Sequence, residues 1–170
     1  VASPKRVEAK IVSVVKKTLT QNMNYLDSIS YSKNRILAKN LHLTKVDSLV
    51  FKYDLQMYEG IKSWKNYQQT TLESAQKMAW NDYSTINSIS KIYIEHISDR
   101  EALKKAITWA KRSVELNTAA ENTLLLARLY HEINNKKNAI ENAQKAKAII
   151  TAMNWDSKDV DQFLKELGSK

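Results

Sequence analysis

Apolar residues recur along this chain at intervals of three and four, the spacing of helix faces, and strict alternation of the strand kind is absent. Val7, Ile11, Val14, Val15 and Leu19 share one such face. Ser3-Pro4 ahead of them supplies an N-cap serine and a proline at the first helical position, which predicts a helix over about 4–20. Met23, Leu26, Ile29, Ile36, Leu37 and Leu41 carry the pattern through 22–42 as one helix or two short ones. Thr44-x-x-Asp47 has the form of a capping box with Asp in the Glu position. It opens a helix through Val46, Leu49, Val50 and Tyr53, and Gly60 closes that helix where a left-handed cap is wanted. Further helices are predicted over 64–80, 82–97, 100–116, 120–133 and 137–153. A short last one over 158–167 sets Val160, Phe163, Leu164 and Leu167 on one face. Glu101–Lys105, Lys111–Glu115 and Glu141–Lys145 are spaced to pair along their helices.

Composition strengthens the helical reading. Two glycines and one proline are far too few for the turns of a sheet protein, which makes the chain all-α. At 43% hydrophobic residues with regular spacing the sequence is that of a folded chain. With 170 residues it is a single domain's worth, able to bury roughly two-thirds of its unfolded surface. No apolar run approaches the ~20 residues that cross a bilayer. The absence of cysteine excludes disulfides, thiolate chemistry and Cys-based metal sites.

Within 99–151 small residues fall where helices must touch: Ala106, Ala110 and Ser113, then Ala139, Ala143 and Ala146. Each set steps by four and then three, which keeps it on one helical face. The sets lie 33 positions apart, and a period in the low thirties marks stacked helical hairpins.

These residues resemble the tetratricopeptide repeat. In the copy over about 120–151, Leu126, Ala127 and Tyr130 fill the Leu-Gly-Tyr positions, and Ala139 and Ala146 the two alanines. Thr123 stands for Trp, Ala143 for Phe and Thr151 for Pro. The copy over about 88–118 keeps Ala106, with Tyr93, Ile94 and Ile97 for Leu, Gly and Tyr. Tyr58 and Tyr67 repeat the nine-residue offset of Tyr130 and Ala139, which suggests a degenerate earlier hairpin. The resemblance implies one helical domain over 1–170. Residues 1–80 form an irregular helical part, 82–153 the hairpins of an α-solenoid stack, and 157–168 a capping helix that covers the last apolar face.

The run from Tyr53 to Leu116 also resembles the helical C-terminal half of bacterial thioredoxin-like proteins, best over Asp99 to Leu116 with its core of Ala106, Trp109 and Ala110. That resemblance implies a thioredoxin domain ahead of Val1 and a periplasmic or secreted location. The Cys-x-x-Cys of such proteins is missing, so no redox activity carries over.

The net charge of +9 sits mostly in the N-terminal third, where residues 1–60 hold ten Lys/Arg against five acids. Binding to nucleic acid or another acidic polymer follows from charge alone, and no basic run is interleaved with stacking aromatics to support it. His42, His96 and His131 do not stand at a metal-ligand spacing. Asp156, Asp159 and Asp161 lack the Gly and the bidentate Glu of a calcium loop and read as acids at a helix start. Trp64, Trp80, Trp109 and Trp155 lie in four separate segments and read as packing residues. A glycine-rich phosphate loop and a Gly-x-Ser-x-Gly elbow are both absent. The expectation is a non-catalytic module, without cofactor or metal, that binds a protein, a peptide or an upstream domain of its own polypeptide. A basic adaptor and an enzyme whose site local sequence does not reveal are the alternatives. In tetratricopeptide stacks the first helix of each hairpin lines the concave face, which here implies a groove at Glu121, Leu124, Arg128 and His131. Arg128 is the expected carboxylate fork and His131 a pH-dependent donor.

Overall fold

The computed structural model describes residues 3–168, and every element among them is a helix. The chain divides into two compact units, the first ending at Ser74 and the second beginning at Ala75.

The first unit is built on α1 (Pro4–Asn24), α2 (Ser28–Lys39) and α3 (Thr44–Gly60), which pack pairwise on one another. Leu19, Tyr31, Ala38, Val46, Val50 and Met57 form its buried core. The segment 22–42 is thus the end of α1 followed by a separate α2. The face expected of α1 also divides: Ile11, Val12 and Val15 pack against the core with Leu19, while Val7 and Val14 stay exposed. The next helix, α4 (Trp64–Met78), contains the boundary between the units.

In the second unit α5 (Tyr83–His96), α6 (Arg100–Leu116), α7 (Ala120–Glu132), α8 (Lys136–Ala152) and α9 (Lys158–Gly168) each pack on the next, and α5 also meets α7. The small-residue faces do what their spacing requires. Ala106, Ala110, Ser113, Ala139, Ala143 and Ala146 are all buried at helix contacts. Tyr93 and Ile97 are buried in α5 and its cap, as Leu126, Ala127 and Tyr130 are in α7. Tyr93 meets Trp109 edge to face at 5.7 Å, joining α5 to α6.

Helix ends differ from expectation in instructive ways. Ser3 occupies the N-cap but its side chain makes no cap bond; its carbonyl accepts from Arg6 and Val7 instead. Thr44 is not a cap, since α3 starts there with Leu43 at the N-cap position, and the capping box does not form. The side-chain caps are Asp27, Asp82, Asp99 and Asn135, each accepting from the backbone N–H three residues on. Gly60 is not left-handed either. The left-handed residue is Lys62, at φ 55°, and the Ser63 N–H returns to the Tyr58 carbonyl. A Cβ at position 60 would lie 2.7 Å from Cδ2 of Leu26, so a side chain there would displace the end of that exposed leucine.

The same turn recurs without glycine at Leu26, Asn134 and Asn154. In each the next N–H closes a six-residue ring, onto Asn22, Tyr130 and Ile150 respectively. Tyr58 and Tyr130, matched by sequence offset, therefore hold the same place in the same kind of turn. Of the three expected i,i+4 pairs only Glu141–Lys145 forms, at 2.6 Å. Glu101 takes Lys104 and Glu115 takes Arg112, both one residue nearer, while Lys111 reaches over the Tyr130 ring.

Candidate functional site

Three of the four expected groove residues come together. Glu121, Leu124 and Arg128 project from α7 into an open cavity of about 390 Å³. The walls are apolar: Leu124 and Leu125 of α7, Ile150 of α8 and Val160 of α9. Trp155, in the turn between α8 and α9, closes one side and remains 61% exposed. Lys91 enters from α5, 33 residues before Leu124 and so one repeat period away.

Local sequence explains why this face stays open. Ala127, completely buried on α7, lets a neighbouring backbone approach closely. The Trp155 N–H bonds back to the Ile150 carbonyl past left-handed Asn154, which fixes the turn carrying the indole. Ser157 and Asp161 share a hydrogen bond of 2.7 Å at the start of α9. Two ion pairs rim the cavity: Lys91 with Glu121 at 2.7 Å, and Arg128 with Asp159 at 2.6 Å.

Arg128 is therefore engaged within the unit. One guanidinium nitrogen donates to Asp159 and the plane lies 4.9 Å from the Phe163 ring centroid. A ligand carboxylate would have to compete with Asp159 for it. His131 is not among the residues that line the cavity; its ring meets Phe163 edge to face at 5.8 Å. The acids at the start of α9 are dispersed among cations: Asp156 pairs with Lys158, Asp159 with Arg128 and Asp161 with Lys147. The hydrogen bond from Lys147, aided by that from Ser157, holds the Asp161 carboxyl below the usual carboxylate range. No group of three His, Cys, Asp or Glu placed to hold a metal ion occurs among the described residues. No described helix is long and apolar enough to cross a membrane.

The tryptophans do not behave alike. Trp109 is buried against Tyr93, Trp80 lies under the Arg112 guanidinium at 5.5 Å, and Trp64 meets Tyr67 edge to face at 6.5 Å. Trp155 departs from the packing role expected of all four. Sequence reasoning missed it as a rim residue, and missed Lys91 and Asp159 as partners of the α7 stripe. Only for Lys91 was a signal present, its distance of one period from Leu124. Compared with protein-family models, curated proteins and solved structures, the chain gives no significant match.

Proposed function

We propose that the α5–α9 unit is a non-catalytic, tetratricopeptide-like module that binds a peptide segment, supplied by another protein or by a further domain of the same polypeptide. The observation that carries this reading is the apolar cavity on α7 with an exposed indole beside it. Its volume of about 390 Å³ is at the small end of ligand sites, enough for one or two apolar side chains of a partner. Trp and Arg at the edge of such a pocket are the residue types that dominate binding energies at interfaces. The two rim pairs balance each other in charge, so burial of apolar area provides the affinity and the rim selects register. Each carboxylate that lines the cavity is held by a cation, Glu121 by Lys91, Asp159 by Arg128 and Asp156 by Lys158, and most of the remaining wall is hydrocarbon, which supports binding.

Selection of displayed random peptides on the full chain tests this. Enriched sequences should share an apolar anchor, and their binding should shift Trp155 emission to the blue. Leu124→Glu and Trp155→Ala should each weaken them at least tenfold with circular dichroism unchanged. Failure to enrich any sequence, or enrichment of peptides that bind both variants as tightly as the parent, would remove the pocket from the function.

A further inference from the structure

The first unit has an apolar surface of its own, and its charge points to what covers it. We propose that the groove between α1 and α2 is a second docking site, separate from the α7 pocket, that receives an acidic amphipathic helix. The groove has a volume of about 220 Å³; its floor is Leu19 and Ala38, both buried, and its walls are Val14, Leu37 and Leu41. Val14 is 58% and Leu37 66% exposed, with Val7 extending the α1 wall by two turns. An uncovered row of this size on helices that already have a packed inner face is surplus to the fold.

The two polar side chains in the groove offer nothing outward. Thr18 donates to the Val14 carbonyl at 3.1 Å, and the Asn34 amide nitrogen donates to the Asn22 side chain at 2.9 Å. Contacts inside the groove are therefore apolar, and selection by charge falls to its edges. There the sign is uniform. Lys10 is a helical neighbour of both Val7 and Val14, Lys17 of Val14, and Lys33 of Leu37. Each of these lysines is exposed and lacks an ion-pair partner among the described residues. Two acids of this region have other partners, though the charge of Lys33 also acts on Asp27. Glu8 pairs with Lys45 of α3, and Asp27 caps α2 by accepting from the Ser30 N–H.

Shape chooses between a helix and a lipid surface. A bilayer meets the outermost atoms of a protein, whereas here the apolar floor lies between two helices and can be reached only by side chains that project into it. Leu37 stands one turn after Asn34 on α2, and Leu41 lies in the turn just past its end, so the cleft follows the last part of α2 and the turn after it. A helix laid along it places apolar residues at i, i+4 and i+7 into the cleft and its flanking acids onto Lys10, Lys17 and Lys33.

The probe is a labelled, stapled helical peptide about four turns long, with leucines at i, i+4 and i+7 and glutamates beside them. Anisotropy on the full chain should show binding that weakens as salt rises and falls at least tenfold in Leu37→Glu. Leu37 is a surface position, so the folded state survives this change, and circular dichroism checks it. The triple charge reversal Lys10→Glu, Lys17→Glu, Lys33→Glu should transfer the preference to the same peptide with lysine for glutamate. Leu124→Glu in the other unit should leave this binding untouched, which keeps the two sites distinguishable. No binding of the glutamate peptide, equal binding of its lysine counterpart, or indifference to Leu37→Glu each overturns the proposal. Phosphatidylglycerol vesicles that sediment with the parent chain but not with Leu37→Glu, while the peptide fails to bind, would reassign the face to a membrane.

Discussion

Each unit buries one polar cluster, and the two clusters use opposite chemistry. In the first unit Asp54, 1% exposed, accepts from the Tyr31 hydroxyl and from Arg35 Nε, both at 2.6 Å, tying α2 to α3. In the second, Ser113 donates to Asn87 Oδ1 at 2.7 Å, and the Asn87 amide nitrogen donates to Asn122 Oδ1 at 2.8 Å. The Asn122 amide in turn donates to the Ser113 and Asn117 carbonyls, at 3.1 and 2.8 Å, so that α5, α6 and α7 meet at one neutral knot. A neutral knot loses hydrogen bonds when one member goes. A charged one is left with an ion that lacks its partner, and in low dielectric that costs more.

The largest effect should therefore come from Asp54→Ala. It strands Arg35 and leaves the Tyr31 hydroxyl unsatisfied, a loss of about 3 kcal/mol, toward the lower end for a broken buried pair because Arg35 keeps 24% side-chain exposure. Asn122→Ala, the matching removal in the second unit, should cost about 1–3 kcal/mol, as expected of neutral groups left without partners. Urea denaturation of both variants measures the comparison. If Asn122→Ala proves the more damaging, charge is not what separates the two clusters.

A smaller effect separates them by pH. Burial, and after it the Asp54 charge, pushes the Tyr31 hydroxyl well above its ordinary value of about 10. A raised pKa means that the folded state keeps a proton the unfolded chain releases. The contribution is thus whole below pH ~10 and is lost as pH rises beyond that value. Between pH 9 and 11 the parent should lose stability faster than Tyr31→Phe, whose unfolded chain has no phenol at position 31 to ionise. Lysine titration is common to both proteins and cancels in the difference. Parallel slopes would show that the phenol is solvated and the first cluster less enclosed than its geometry implies.

How much of this could be read from sequence follows the range of the interactions involved. The helices themselves, and the burial of Ala106, Ala110, Ala139, Ala143 and Ala146, depend on spacing within one segment, so the period of three and four located them. Ser113 was placed correctly on the contact face, yet its partners come from 26 positions before it and nine after, and no local pattern links them. Asp54 and Arg35 are separated by 19 positions on different helices. The cap at Gly60 was misassigned because the turn takes its left-handed residue two positions later, at Lys62, a residue without propensity for it. The α7 stripe was legible because it lies on one helix. Its partner Asp159 and the indole at its edge were not, since they arrive only once α9 has packed.

The last comparison sets two ion pairs of equal length side by side in different burial. Arg35–Asp54 and Arg128–Asp159 are both 2.6 Å ion pairs, and their arginines are similarly accessible. Their acids differ: the Asp54 side chain is 2% exposed and that of Asp159 71%. In the exposed pair water and salt screen the attraction, and ordering two side chains offsets much of what remains, so the coupling between Arg128 and Asp159 should be no more than about 1 kcal/mol. The stacking of Arg128 on Phe163 adds roughly 0.5–1 kcal/mol that does not pass through the carboxylate. A double-mutant cycle of Arg128→Met and Asp159→Asn divides the two. Arg128→Met should lose more stability than Asp159→Asn, and only the coupling between them should fall as salt is raised. This also bears on the pocket: a weak Asp159 contact leaves Arg128 free to turn to a peptide carboxylate, because exchange of one acid for another costs little. A coupling of several kcal/mol, insensitive to salt, would mean that Asp159 holds the arginine permanently, and recognition at that rim would have to proceed through Lys91 and the indole alone.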